Sequence, residues 1–282
     1  MTDKPVLITT DGSAHSQRMI PHAARLADAL ETRLVLLHVL TPSDFDDSSP
    51  AGRTAARTRA QEELRCVLDR LGLNGEPVIE LARDDHEVRD LILDRSKTAG
   101  ILAMDSRGHG SISHLLHGSV ALDILSRTTT PLLLGGPSLT GPAQGQYAYR
   151  ILATTDGSPA AEDVLRAMAP LLTPDRFHVT LLHVHEHAPG GEDNARELAQ
   201  REAEVTKQRS LLPESVRVEV VVREIPRGAG VDTAILETAN QQKADAIAMS
   251  THGHSARRHL LMGSVALSML SRATVPLLLA RA

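Results

Sequence analysis

Aromatic side chains are nearly absent from this sequence of 282 residues, which has no tryptophan, two tyrosines and two phenylalanines. Because sequence-tolerant binding of single-stranded nucleic acid depends on aromatic side chains that stack on bases, this composition disfavours that function. Hydrophobic residues nevertheless make up 41% of the chain. We therefore expect an aliphatic core built from Leu, Val, Ile, Ala and Met.

A basic surplus, paired cysteines and long apolar runs are also lacking. The formal net charge of −5 gives no overall basic footprint for DNA or RNA. The single cysteine, Cys66, cannot form an intrachain disulfide, and its helical context predicts a buried, unreactive thiol. The N-terminus lacks the apolar segment of a signal peptide, and no run is long enough to span a bilayer. We therefore expect a cytoplasmic protein that engages neither nucleic acid nor membrane.

Four sequence blocks recur with one offset of 145 residues. Residues 9–13, 36–39, 118–122 and 131–134 return at 154–158, 181–184, 263–267 and 276–279. A shared offset in four separate blocks identifies a duplication. The sequence predicts two domains, residues 1–140 and 146–282, that meet at the Gly/Pro-rich segment 135–145.

Each half alternates short apolar runs with longer helical patterns. In the first half, strands are predicted at 6–10, 33–40, 77–81, 101–105 and 132–135, and helices at about 14–31, 54–71, 86–98 and 119–127. Continuously apolar strands that alternate with helices indicate a parallel sheet covered on both faces. The predicted fold class is α/β, with two tandem doubly wound sheets of five strands each.

In such open sheets, ligands bind beyond the carboxyl ends of the strands, where the strand order reverses. Several repeated residues fall at that edge. They are Thr10 and Asp11 after the first strand, Val39 in the second and Met104 in the fourth, with the counterparts Thr155, Asp156, Val184 and Met249. This convergence predicts one pocket in each half.

The loop after the fourth strand carries the most informative motif. It contains Gly108, nine further residues and Gly118-Ser119 in the first half, and Ser250-Thr251-His252-Gly253, nine residues and Gly263-Ser264-Val265 in the second. A glycine near a strand end lets the backbone approach a phosphate closely, and the free N–H groups of a helix N-terminus favour an anion. The alternative is a simple helix N-cap. Duplication at fixed spacing favours the phosphate site.

These motifs resemble the universal stress protein pattern Gly-x2-Gly-x9-Gly-Ser/Thr, with an Asp ending the first strand and Leu-His-Val ending the second. The resemblance covers nearly the whole chain, twice. It implies that the Asp and Val contact adenine and that the glycine-rich loop holds ribose and phosphates. The implied residues are Asp11, Val39, Gly108, Gly118 and Ser119 in the first half, and Asp156, Val184, Gly253, Gly263 and Ser264 in the second.

The same resemblance implies an adenine nucleotide alpha hydrolase-like fold that binds ATP, to which magnesium could be bound. It also implies that the two halves pack as a pseudo-twofold pair through their final apolar strands, with a further homodimer left open. Both copies depart from the motif at its first Gly, which is Asp105 in one half and Ser250 in the other. An aspartate near a polyphosphate is unfavourable unless Arg107 or a metal offsets it. We therefore expect tighter binding in the second half.

Other interpretations remain open. The run from His183 to His187 could present three imidazoles on one face to a metal, although only His183 is repeated. Asp11 and Asp156 could instead accept backbone N–H groups of the following turn. Neither a Gly-x4-Gly-Lys-Ser/Thr phosphate loop nor a Gly-x-Ser-x-Gly elbow is present.

The leading hypothesis is an ATP-binding stress-response or regulatory protein without strong catalytic activity. The alternatives are a slow nucleotide hydrolase that uses Asp156 with magnesium, and a module that binds an unidentified protein partner without nucleotide.

Overall fold

The computed structural model describes residues 4–45, 49–106, 119–143, 147–187, 194–251 and 262–280. The chain divides into two compact units, Met1–Pro137 and Ser138–Ala282. The connecting segment is attached to the second unit, because the Ser138 hydroxyl donates to Ser271 O (2.8 Å) and Thr140 N donates to Thr274 O (3.0 Å). The domain limits 1–140 and 146–282 stay a prediction.

The first unit is a doubly wound α/β sheet. Its elements are β1 (Val6–Thr9), α1 (Ala14–Ala29), β2 (Leu34–Leu40), α2 (Pro50–Leu71), β3 (Glu76–Leu81), α3 (Asp85–Ser96), β4 (Ile101–Asp105), α4 (Ser119–Arg127) and β5 (Leu132–Gly135). The strand order is β3-β2-β1-β4-β5, and every pairing is parallel.

The second unit repeats this plan. Its elements are β6 (Tyr149–Thr154), α5 (Pro159–Met168), β7 (Phe177–His187), α6 (Asn194–Gln208), β8 (Arg217–Pro226), α7 (Val231–Gln241), β9 (Ala246–Ser250), α8 (Ser264–Arg272) and β10 (Leu277–Ala280). Its parallel order is β8-β7-β6-β9-β10. The predicted fold class, two tandem parallel sheets of five strands, is confirmed.

The central strands are buried on both faces, as their continuous apolar sequences predict. Ile8, Leu36, Ile101 and Leu102 are fully buried in the first unit. The expectation of an aliphatic core holds there, but it is incomplete for the second unit. Tyr149 and Phe177 are opposite each other in β6 and β7, with ring centroids 5.8 Å apart, so two of the few aromatics are buried in this core.

Helix α2 corrects two expectations. It begins at Pro50 rather than Thr54 because Ser49 caps it, accepting from Gly52 N at 3.1 Å. Cys66 is exposed, so the prediction of a buried thiol is wrong. The buried face of α2 carries Leu64, Val67 and Leu68. Cys66 lies two residues after Leu64, which at 3.6 residues per turn places it on the opposite side.

Among the helices of the described residues, none combines the length and apolar character that crossing a membrane requires.

Candidate functional site

The strand order reverses beside β1 in the first unit and beside β6 in the second. β1 lies between β2 and β4, and β6 lies between β7 and β9. The carboxyl ends of these strands therefore flank the crevice in which ligands of doubly wound folds bind. The residues predicted from the sequence lie along this edge wherever the structure describes them.

A hydrogen-bonded turn follows β6 in the second unit. The buried Thr155 hydroxyl donates to Gln208 Oε1 (2.6 Å) and accepts from Gly157 N (3.0 Å). Asp156 Oδ1 accepts from Ser158 N at 3.0 Å. Gly157 has a φ of +81°, which side chains other than glycine rarely tolerate. The turn holds Asp156, whose side chain is exposed, at the sheet edge.

The turn after β1 repeats this geometry. Thr10 Oγ1 accepts from Gly12 N (3.1 Å), and Asp11 Oδ1 accepts from Ser13 N (3.0 Å). Here the Thr10 hydroxyl pairs with Ser16 Oγ of α1 at 2.8 Å instead of with a glutamine. The two turns are therefore the same, but different helices hold them.

The interpretation of Asp11 and Asp156 as acceptors for the following turn is confirmed. Each uses Oδ1 for this bond. A carboxylate offers about four acceptor positions on its two oxygens, so the bond leaves acceptor capacity for a ligand. The structural role and a ligand-binding role are therefore compatible.

His183, which lies within β7, links that strand to this turn. Its ring is buried, and Nδ1 lies 2.9 Å from Thr155 O, a contact in which the nitrogen must donate. Burial lowers the pKa of His183 below its usual value, and the bond to the carbonyl only partly opposes this. A neutral His183 with its proton on Nδ1 presents Nε2 as an acceptor.

The proposed phosphate loop of the second unit is closed at its base. Gly263 N donates to Thr251 O at 2.7 Å, which brings the start of α8 to the end of β9. Gly263 is the N-cap of α8 and supplies no side-chain cap. The first-turn N–H groups of a helix have no acceptor within the helix. Ser264, the first helical residue, is exposed, and Val265 is partly exposed.

The other predicted residues lie within strands, at the start of a helix or outside the described residues. Met104 and Met249 are buried near the ends of β4 and β9, and Val39, Val184 and Ser250 are partly exposed. Ser119 begins α4, as predicted. Predicted positions outside the description are Gly108, Gly118, His252 and Gly253.

Asp105 ends β4 where the motif of the first half departs from glycine. Its side chain is 1% exposed, and Oδ2 lies 4.0 Å from the guanidinium of Arg18 on α1. Arg18 also donates to Pro137 O at 3.3 Å. The sequence suggested Arg107 as the compensating cation, and Arg107 lies outside the described residues. Arg18 supplies a positive charge that sequence reasoning missed.

The metal hypothesis for the histidine run gains no support. The rings of His183 and His185 stack with centroids 6.4 Å apart, and Nδ1 of His183 is already bonded to Thr155 O. No group of three side chains that could bind a metal occurs among the described residues.

Three residues that hold the edge were not found from the sequence: Arg18, Ser16 and Gln208. Ser16 and Gln208 are not repeated at the common offset, so the duplication gives no signal for them. For Arg18, the repeat does contain a sequence signal. At the offset of 145, Asp163 corresponds to Arg18 and Ser250 corresponds to Asp105, so the basic and the acidic residue are both replaced in the second half.

Comparison with known proteins gives a consistent result. The sequence profile described as the universal stress protein family matches residues 3–134 and 149–281. A universal stress protein of Mycolicibacterium smegmatis is 26% identical over 99% of this chain and 98% of its own length. One of Synechocystis is 23% identical over 98% and 99%. The crystal structure of a universal stress protein from Archaeoglobus fulgidus has the same fold (TM-score 0.64, 19% identity, 100% and 99% coverage).

Matches to both halves, together with the two doubly wound sheets, show that the chain belongs to the universal stress protein family as a member with two tandem domains.

Proposed function

We propose that the chain binds ATP at the carboxyl edge of each sheet and acts as a nucleotide-responsive regulator in the cytoplasm rather than as a catalyst. The observation that carries the proposal is the closed base of the loop in the second unit. Gly263 N bonds to Thr251 O, and α8 starts at this point without a side-chain cap. Its first-turn amides and positive dipole end suit a phosphate.

The residues present fit an adenine nucleotide. Asp156 would accept from the adenine amino group, and the partly exposed Val184 would contact the base. Thr155, His183 and Gln208 position this half of the site through their hydrogen bonds. Ser250, Ser264 and the amide of Val265 would receive the phosphates. Bound nucleotide would add several negative charges at this edge, and its binding or release would change the surface that a protein partner contacts.

The geometry favours binding over hydrolysis. Within the described residues, no group of three carboxylates or histidines that could hold a metal lies beside Asp156. In-line phosphoryl transfer depends on positioned metal ions and charged groups around the phosphate. A slow hydrolase remains the alternative, and turnover that disappears in Asp156→Asn would favour it.

The two sites should differ in affinity. At an illustrative separation of about 8 Å, a negative unit charge costs a phosphate charge about 0.5–2 kcal/mol at effective dielectric constants of about 80 to 20. This corresponds to a roughly two- to thirtyfold difference in affinity. Asp105 carries such a charge, partly offset by Arg18, whereas Ser250 is neutral. The second site is therefore proposed to bind more tightly.

Calorimetric titration of nucleotide-stripped protein with ATP and magnesium tests both points. Gly263→Val should remove the tighter binding event, because its branched side chain would cover the first-turn amides of α8, whereas its Cβ makes only an ordinary contact of 3.5 Å with Thr251 O. Exchange variants provide the matched test: Asp105→Ser should strengthen the weaker event, and Ser250→Asp should weaken the tighter one. Absence of binding by the wild type would instead favour a protein-interaction module.

A further inference from the structure

Three basic residues form a row at the amino end of the second sheet, opposite the edge described above. Arg150 in β6 is the register partner of His178 in β7, and His178 is the partner of Arg217 in β8. Register partners in neighbouring strands project from the same face, about 4.8 Å apart. Arg150 and Arg217 therefore lie on either side of His178 on one face of the sheet, and a bound anion would offset the repulsion between their charges.

The row keeps unused hydrogen-bond donors. One guanidinium nitrogen of Arg150 donates to Gln242 O at 3.1 Å, which uses one of its five N–H groups. His178 and Arg217 form no hydrogen bond or ion pair within the part of the chain that the structure describes. His178 is partly buried and Arg217 is exposed. Two guanidinium groups and an imidazole ring thus line the same region of the surface.

A cavity of about 130 Å³ lies against this row. It is lined by Arg150, His178 and Arg217 from the strands, and by Gln242 and Ala244 after α7. The cavity has room for a phosphate-sized group beside the row. Glu219, the one carboxylate in the lining, is exposed.

The charges of the row act on one another. Burial lowers the pKa of His178, and the positive charges of Arg217 and Arg150 lower it further, whereas Asp175 raises it. Guanidinium groups are permanently charged in proteins. The positive field of the cavity therefore does not require a protonated histidine.

The first unit does not repeat the row. At the common offset, Pro5 replaces Arg150 and Arg33 replaces His178. Arg33 is already paired with Glu76, at 3.1 Å. The amino edge of the first unit thus has fewer cations and a local counterion, which makes it a natural control.

We propose that the cavity between Arg150, His178, Arg217 and Gln242, here called the amino-edge cavity, binds a phosphate group, either as inorganic phosphate or as the head of a small phosphomonoester. Forked guanidinium groups match phosphate oxygens in geometry and charge. The site is distinct from the carboxyl edge and does not depend on the nucleotide proposal.

Nuclear magnetic resonance of the full chain tests the site locally. The ring signals of His178, assigned by their loss in His178→Gln, are followed at low ionic strength during titration with inorganic phosphate and, separately, glycerol phosphate. Saturable shifts with both anions indicate that a phosphate head is sufficient. Saturation with inorganic phosphate alone assigns the site to the free ion. Binding at the carboxyl edge would leave these signals in place.

Variants decide whether the cavity itself is responsible. Arg217→Gln should raise the apparent Kd roughly three- to tenfold, because one charge-assisted hydrogen bond at an exposed site is lost. Glu219→Gln should lower it, because a repelling carboxylate is removed. Arg33→Gln, the control in the first unit, should leave it unchanged. The proposal is overturned if the His178 signals do not saturate, or if Arg33→Gln and Arg217→Gln have equal effects.

Discussion

Replacement of Thr155 by valine tests whether the turn after β6 depends on one hydroxyl. Valine has nearly the same shape but can neither donate to Gln208 nor accept from Gly157 N, the bonds of 2.6 and 3.0 Å. One buried and one partly buried hydrogen bond, at about 1 kcal/mol each, predict a loss of about 2 kcal/mol in the free energy of unfolding. With a urea slope of about 2 kcal/mol/M, the midpoint should fall by about 1 M.

The composition of the chain provides an assay confined to the second unit. The protein has no tryptophan, and its only tyrosines are Tyr147 and Tyr149. Both lie in the second unit, and Tyr149 is buried there. Intrinsic tyrosine fluorescence therefore reports unfolding of this unit, whereas circular dichroism follows both.

Two controls give the result its meaning. Thr155→Ser keeps the hydroxyl and removes one buried methyl group, so it should lose only about 1 kcal/mol. Thr10→Val makes the equivalent change in the first unit and should move the tyrosine transition less than Thr155→Val does. The reasoning fails if Thr155→Val is as stable as Thr155→Ser, because the hydroxyl bonds would then contribute nothing.

Further predictions concern pH and the single thiol. Because burial lowers the pKa of His183 in the fold, the unfolded chain binds more protons in acid, so stability of the second unit should fall as the pH drops below about 6.5. His183→Asn, which keeps a donor near Thr155 O but does not titrate, should flatten this dependence in tyrosine-monitored melts; an unchanged slope would exclude His183 as its source. Cys66 should react with a thiol reagent in the native protein as fast as in urea, and protection in the native state would contradict its exposure.

The fold could be predicted almost completely because it depends on local patterns that the duplication shows twice. The strands predicted at 101–105 and 132–135 coincide with β4 and β5. The helix predicted from residue 54 starts earlier because the capping serine, Ser49, precedes the periodic part of the pattern. Periodicity locates the middle of a helix better than its ends, where single capping bonds decide.

The candidate site could be predicted only where both copies agree. Asp11 and Asp156 stand in identical turns, and the repeat located both. The side chains that hold the two threonines, Ser16 and Gln208, come from different helices. Such contacts depend on how helices pack over the sheet, and no periodicity of the sequence encodes them.

A comparison of the two copies also shows a case in which two residues that contact each other differ together. At the carboxyl edge, Asp105 faces Arg18 in the first unit, and the second has Ser250 and Asp163 at the matching positions. Replacing Asp105 alone therefore does not reproduce the second unit, because Arg18 remains. Asp105→Ser would remove the carboxylate and leave the charge of Arg18 to act on a bound phosphate. The first site of this variant should therefore bind ATP more tightly than the first site of the double variant Asp105→Ser/Arg18→Asp. Equal affinity of the two variants would show that Arg18 exerts no influence on the phosphates.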